Sequence, residues 1–294
     1  VDREIDVIEI SVADCLHLPL EDKSVDLTFT SPPYEDARLY GIGFRLKGQD
    51  WVDWAVPRFL ECLRVTRGLT CWVVQGRTRK FQWSAIPVLF MSTLIREGVN
   101  LRRPQIYHRI GIPGSGGPDD WRNDYEYIIR ATHGGKLPWS DNTATGHLPK
   151  YGCFGGNAPG GHKDGDVNHL PTIKAGGPFS NRDKQGVRTH RVQKQYALAN
   201  PGDVLKCSAG GGQMGNKLCH ENEAPFPEAL VEPFVKCFCP PDGTVLDPMC
   251  GSGTTLAVAQ RLGRNAIGYD IRESQVELSR LRVAVDPQAT FSGQ

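Results

Sequence analysis

Two short stretches carry residues arranged for chemistry. The first is Ser31-Pro32-Pro33-Tyr34, set directly after the run "VDLTFT". Each proline fixes its own φ and pushes the residue before it toward extended backbone, so this loop is stiff. It offers the Ser31 hydroxyl, the Ser31 and Pro32 carbonyls and the flat ring of Tyr34. That set suits a planar base bearing an exocyclic amine: oxygens accept its N–H hydrogens and the ring stacks on its face. Such an amine is a weak nucleophile, because its lone pair is delocalised. As a methyl group approaches, positive charge grows on the nitrogen, and rigidly held oxygens stabilise that charge more in the transition state than in the ground state. Within a duplex the amine is buried in base pairing, so the nucleotide must first leave the stack. Taken alone, the four residues also read as a plain surface Pro-Pro turn.

The second stretch is "TVLDPMCGSGTTLAV". A strand ends at Asp247, and Pro248, Cys250, Gly251, Ser252 and Gly253 form a tight loop in which the glycines let backbone approach a ligand. Thr254 and Thr255 open a helix that stops at Gly263. The following strand "NAIGYD" finishes on Asp270, 19 residues past Gly251. A carboxylate there can take both hydroxyls of a ribose. The loop lacks the third glycine of GxGxxG, which a nicotinamide-dependent oxidoreductase would need, and the lysine of a triphosphate loop. An adenosyl ligand without phosphates fits better, with Asp247 available to a cationic or amino group. An ordinary strand–helix turn is the competing reading.

The elements that position these stretches read as α/β. In residues 25–30, Val25, Leu27 and Phe29 alternate with Asp26, Thr28 and Thr30, as in a strand. "WVDWAVPRFLECLRVTR" predicts a helix, with Pro57 a candidate kink. "GLTCWVVQG" predicts a buried strand, "WSAIPVLFMSTLIREG" a helix stopped by Gly98, "DYEYIIRATH" a strand and "FPEALVEPFVKCF" an amphipathic helix. Between them the character changes. Residues 134–217 hold 17 of the chain's 33 glycines and carry eleven Lys or Arg against five Asp, a balance of +6. The chain's net charge is only +1, so the remainder carries −5. This predicts an α/β body in two parts, 1–133 and 218–294, around a basic Gly-rich insertion at 134–217. The insertion is either a solvated loop or a phosphate-contacting lobe.

Together, TSPPY near the start and DPMCGSGTT near the end resemble the amino-group DNA methyltransferases that use S-adenosylmethionine, in the β order: catalytic motif, recognition region, cofactor motif. The resemblance implies a Rossmann-like methyltransferase fold, a doubly wound, mostly parallel sheet. It implies catalytic roles for Ser31, Pro32, Pro33 and Tyr34. For the cofactor it implies Asp14 beside the adenine amine with Cys15 adjacent, and His220, Phe226 and Pro227 near the methionine end. Asp247, Pro248, Cys250, Gly251, Ser252, Gly253, Thr254 and Thr255 form the loop under the methionine moiety, with Asp270 on the ribose. "RNDYEYIIRA" is similar to the family's strand lining the target-base pocket, which brings in Asp124, Tyr125 and Glu126. Two departures stand out: Met249 replaces a usual aromatic, and Ala13 a common glycine. Members with Ser before Pro-Pro mostly methylate cytosine N4, and those with Asp or Asn mostly adenine N6. The expected activity is therefore N4-cytosine methylation of a flipped base in duplex DNA, within DNA methylation and restriction-modification, with N6-adenine as alternative.

The insertion then supplies target recognition, through the basic cluster Arg182, Lys184, Arg188, Arg191 and Lys194. "GRTRKFQW" offers Arg77, Arg79 and Lys80 as further DNA contacts beside Phe81 and Trp83. RNA, a protein glutamine amide, or a non-catalytic nucleic-acid-binding role remain as other readings; the basic insertion favours nucleic acid. The nine cysteines, odd in number, predict reduced thiols. Cys207, Cys219, His220, Cys237 and Cys239 lack CxxC spacing, and no metal is expected. No apolar run reaches the ~18 residues of a membrane span. The opening "VDREIDVIEI" has no signal-type core, pointing to the cytoplasm, and no initiator Met, pointing to trimming of a few residues. Monomer and homodimer both stay open.

Overall fold

The computed structural model describes residues 7–35, 44–111, 119–147, 200–208, 218 and 225–284. One large sheet holds eight strands: β1 (Ile8–Val12), β2 (Val25–Thr30), β3 (Thr66–Val74), β6 (Asn100–Ile110), β7 (Tyr125–Thr132), β8 (Val204–Ser208), β9 (Thr244–Asp247) and β10 (Asn265–Asp270). A separate hairpin is made by β4 (Thr78–Arg79) and β5 (Gln82–Trp83). The helices are α1 (Gly48–Val65), α2 (Ile86–Arg96), α3 (Glu228–Phe238), α4 (Thr254–Arg261) and α5 (Glu273–Ala284).

Across the sheet the order is β1-β10-β9-β2-β3-β7-β6-β8. Only β7 runs against its neighbours; the pairings β1/β10, β10/β9, β9/β2, β2/β3 and β6/β8 are parallel. The fold is thus α/β with a mostly parallel sheet and helices on both faces. Leu27, Phe29, Leu69, Cys71 and Val73 turn to one face, under Leu230, Phe234 and Leu256 of α3 and α4. Trp72, Val74 and Ile129 turn to the other, under Trp51, Phe59 and Phe90 of α1 and α2. All six residues of β2 are buried, the mark of a central strand covered on both sides.

Two pairs decide where a ligand can sit. Leu27 and Thr28 of β2 lie opposite Val245 and Leu246 of β9, so strands more than two hundred residues apart in sequence are neighbours. From this seam the chain winds outward both ways, β2 through α1 to β3 and β9 through α4 to β10, with α1 and α4 on opposite faces. A crevice opens at the carboxyl ends of strands at such a switch point. Ser31 and Pro248 each follow the last residue of the two seam strands.

The helix expected over 51–67 runs Gly48–Val65 and continues through Pro57. Three strands of the large sheet and both strands of the hairpin were not predicted. In β6, Pro104 interrupts the ladder, and the pairing with β7 shifts register between Arg102 and Gln105; a residue without an N–H belongs at such a bulge. β1 and β8 are five-residue edge strands whose partners lie far off in sequence.

The chain forms two compact units, Val1–Asp141 with Gly202–Gln294, and Asn142–Pro201. The second is narrower than the 134–217 marked by composition, because flanking residues belong to the body. The Asp141 N–H donates to the Cys237 carbonyl at 2.9 Å, and β8 ladders onto β6. Within the second unit, the Gly146 N–H closes a turn onto the Thr143 carbonyl at 3.0 Å.

Candidate active site

The glycine loop after β9 is fixed from behind. Gly253 caps α4 with a φ of 77°, and a Cβ there would come within 3.0 Å of the Ser279 hydroxyl. Ser279 Oγ donates to the Gly251 carbonyl at 2.7 Å. Arg282, buried beneath the helix start, donates to Thr254 Oγ1 at 2.9 Å and to Glu228 at 2.7 Å. Cys250, Ser252, Gly253, Thr254 and Thr255 are therefore scaffold, facing α5 and the sheet; Thr255 Oγ1 donates to the Phe29 carbonyl at 3.3 Å. The front of the loop, Pro248, Met249 and Gly251, lines a cleft.

Opposite that front stand Ser31, Pro32 and Pro33, with Asp14, Cys15, Phe44 and Trp54 on the remaining wall and Asp270, Ile271 and Arg272 at the end of β10. Asp270 accepts the Gly251 N–H at 3.1 Å through one oxygen and the Arg272 N–H at 3.0 Å through the other. Arg272 Nε also lies 3.5 Å from the oxygen that takes its own N–H, so the oxygen facing Gly251 is the one with a further lone pair for a ligand hydroxyl. Asp14 pairs with Arg58 at 3.2 Å, and Arg58 lies 4.5 Å over the Trp54 ring. The Cys15 thiol sits 3.6 Å from Cys62 Sγ, and burial holds it protonated, well above its ordinary range; burial does the same at Cys250. Neither is a thiolate. Asp247, 1% exposed, lies below the cleft floor. Burial pushes its carboxyl up to about 6, against the Met249 N–H, which donates to it at 3.3 Å, and the nearby Thr30 and Thr255 hydroxyls, which favour the charged form.

The Ser-Pro-Pro-Tyr loop is held at several points. The Trp51 indole N–H donates to the Pro33 carbonyl at 2.9 Å. The Tyr34 hydroxyl donates to Glu126 Oε2. That direction is forced, since Glu126 is a buried carboxylate paired with Arg109 at 3.3 Å. Tyr34 Oη thus accepts from Ser31 Oγ at 3.2 Å, with the Val73 carbonyl a second, longer acceptor at 3.4 Å. On the far side of this loop, Tyr34 and Glu35 line a second cavity of about 500 Å³ with Gln75, Arg77, Phe81 and Trp121. The loop is a partition: Ser31, Pro32 and Pro33 face one hollow, and Tyr34 the other.

The family model for N6/N4 DNA methylases matches residues 25–281. The chain belongs to that family. It is a DNA methyltransferase, and S-adenosylmethionine is its methyl donor. It is 26% identical over 267 residues to the orphan methyltransferase M.BamHII of Bacillus amyloliquefaciens, a match spanning 89% of each chain. Over 94 residues it is 40% identical to the type II methyltransferase M.ScaI of Streptomyces caespitosus, spanning 31% of each. The fold resembles that of the cytosine-N4-specific PvuII DNA methyltransferase, with a TM-score of 0.62, 18% identity and coverage of 98% of this chain and 93% of that one.

The methyltransferase brings five of the fourteen expected cofactor residues to the surface of one cleft. Asp14, Cys15, Pro248, Gly251 and Asp270 line the cleft with the catalytic loop. The donor set fits an adenosyl ligand: an aromatic and apolar wall from Phe44, Trp54, Met249 and Ile271, and a carboxylate at the strand end. Phe226 instead packs edge-on against Phe29 at 5.7 Å, and Pro227 caps α3; neither lines the cleft. His220 lies outside the described residues, as do Arg182, Lys184, Arg188, Arg191 and Lys194. Arg77 and Lys80 line the second cavity, and Arg79 is the last residue of β4. Asp124 pairs with His108 and Arg122, and Tyr125 is partly exposed at the start of β7. Phe44, Trp54 and Arg58 were missed; only the Trp54–Arg58 spacing of one helical turn hinted at them. Ile271 and Arg272 were missed as well, although they directly follow the strand end at Asp270, where ligand sites lie. Of the cysteines considered for zinc, Cys207, Cys237 and Cys239 are buried, and Cys219 lies outside the described residues. Among the described residues no helix is long and apolar enough to cross a membrane.

Proposed function

We propose that this enzyme methylates the exocyclic N4 of a cytosine flipped out of duplex DNA at a specific sequence. The observation that carries the reading is the partition: one stiff loop between the cofactor cleft and a second hollow large enough for a base. S-adenosylmethionine supplies an activated methyl group when bound. Asp270 orients its ribose, the Phe44–Trp54–Met249 wall encloses its adenine, and Asp247 balances its cationic end. Tyr34 stacks on the target base. Ser31 Oγ and the Pro32 carbonyl accept the two amine hydrogens and hold the nitrogen lone pair toward the cleft.

Once the amine nitrogen had taken the methyl group from the sulfonium, it would carry a proton it no longer holds well. Ser31 accepts that proton while passing its own to Tyr34 Oη, and Tyr34 passes its own to Glu126. Arg109 pairs with Glu126 at 3.3 Å at the end of this path. Serine before Pro-Pro favours cytosine over adenine, and the cytosine-N4-specific PvuII enzyme shares the fold. The insertion, with the 142–201 unit at its centre, provides recognition. The test is incubation with labelled S-adenosylmethionine and genomic DNA, RNA or protein, followed by mass identification of the product and sequencing of the methylated sites. N4-methylcytosine at one sequence is expected. N6-methyladenine would move the assignment to the adenine branch, and label on RNA or protein alone would overturn the substrate class.

A further inference from the structure

The β4–β5 hairpin holds an aromatic ring at its tip that the fold itself does not use. Thr78 pairs with Trp83 and Arg79 with Gln82, leaving Lys80 and Phe81 as the two turn residues. Both have positive φ, 48° and 63°. This is the turn geometry that suits a two-residue hairpin and that Asn-Gly or Gly-Gly normally fills. A bulky aromatic there is strained, and strain of this kind marks functional positions. Packing does not repay it, since Phe81 is 80% exposed.

The hairpin is rooted on the catalytic loop. Glu35, next to Tyr34, accepts the Arg77 N–H at 3.3 Å and the Gly48 N–H at 3.3 Å. Ser84 and Arg77 close the base of the hairpin with bonds of 2.9 and 3.0 Å. The Trp83 indole lies so close to Gly76 that a Cβ there would come within 2.4 Å of Nε1. Phe81 is thereby carried on a braced arm beside the hollow it lines with Tyr34. The charged lining of that hollow is mixed, Asp119 and Asp120 with Arg77 and Lys80, unlike the uniformly basic surface of a groove for the DNA backbone.

Resting on the reading that the target base leaves the helix, we infer that Phe81 inserts into the duplex at the target step and fills the stack the base vacates, with Arg79 and Lys80 on the flanking phosphates. An apolar side chain inserted between base steps does this in other DNA-bending proteins.

The test compares three substrates carrying the mapped recognition site: a matched duplex, a duplex with the target nucleotide opposite an abasic position, and a single strand. Phe81→Ala should lower kcat/KM on the matched duplex by about 10- to 100-fold, the worth of one lost base–aromatic stack. The loss should be at least about fivefold smaller on the abasic duplex and the single strand, whose target needs little extrusion. Phe81→Trp should retain activity on the matched duplex. An equal loss on all three substrates, or no loss on the matched duplex, would overturn the inference. Either outcome is separate from failure of the functional reading, in which the unaltered enzyme methylates no cytosine in any substrate.

Discussion

Ser31 and Tyr34 divide one task between them. A serine hydroxyl alone is a mobile rotor; here Tyr34 Oη accepts its hydrogen, which turns the remaining lone pairs toward whatever amine lies in front. The sequence presents Tyr34 as a stacking ring, and its hydroxyl has no evident role until the fold brings up Glu126 from a strand ninety-two residues away. Tyr34→Phe separates the two functions. The ring stays, so the KM for DNA should be unchanged and S-adenosylmethionine should bind as before. Loss of the hydroxyl breaks the path to Glu126, and kcat should fall about 100-fold, the lower end of what a positioned proton acceptor contributes. Tyr34→Ala should raise KM as well. Steady-state kinetics on both variants check this. A Phe variant with unaltered kcat would leave Glu126 as a brace for the loop and remove it from the proton's route.

At the scale of elements, the strand–loop–helix around β9 shows a buried charge with a consequence for pH. Asp247 has an ordinary value of 3.8 and stands at about 6 in the fold, chiefly because burial disfavours its charged form. Below pH 4 the group is protonated folded or unfolded and costs nothing. As pH rises through the window from about 4 to 6, the unfolded chain releases the proton while the fold resists, so stability is lost across that window, by up to about 3 kcal/mol. Asp247→Asn should remove that loss. Urea midpoints at pH 4 and pH 7, without cofactor, should show the variant near equal to the unaltered protein at the first and more stable at the second. The same variant should lose the gain in S-adenosylmethionine affinity that ionisation of Asp247 gives the unaltered enzyme. Identical midpoint differences at the two pH values would show that Asp247 is not held above its ordinary range.

The same elements show what local pattern can and cannot reveal. β2, β3, β7, β9 and β10, with α1 to α4, were legible because each has an apolar period bounded on one side by a Gly or Pro, whereas α5 was not foreseen. β6 hid behind Pro104 and paired arginines, since a bulged strand breaks the period that would announce it. β1 and β8 are too short to declare themselves without the partners they ladder onto. The front of the glycine loop could be foreseen, while the inward turn of Cys250, Ser252 and Thr255 could not. Which way a residue of a tight loop points depends on α5, a helix whose contact with that loop no spacing encodes. Trp51, which pins the Pro33 carbonyl, was for the same reason indistinguishable from a core tryptophan.

For the whole molecule, charge is the property that separates body from insertion. The chain carries +1 in total while residues 134–217 carry +6, so the rest is acidic at −5, and the proposed contact with DNA falls to the basic segment. Attraction of that kind comes from displaced counterions and can be counted. Each phosphate neutralised on duplex DNA contributes about −0.9 to the slope of log affinity against log salt. Replacing Arg182, Lys184, Arg188, Arg191 and Lys194 together by Ala should therefore make the slope shallower by about 4 if each meets a phosphate, and the affinity loss should shrink as salt rises. Cofactor binding should be unaffected, because the residues that line the cleft all belong to the body. Binding isotherms on a duplex of fixed sequence from 50 to 200 mM salt, on the order of the range over which such slopes are resolved, give the number directly. A slope that does not move would make the five charges solvated loop residues, and the phosphates would then be met by the hairpin and the rest of the body.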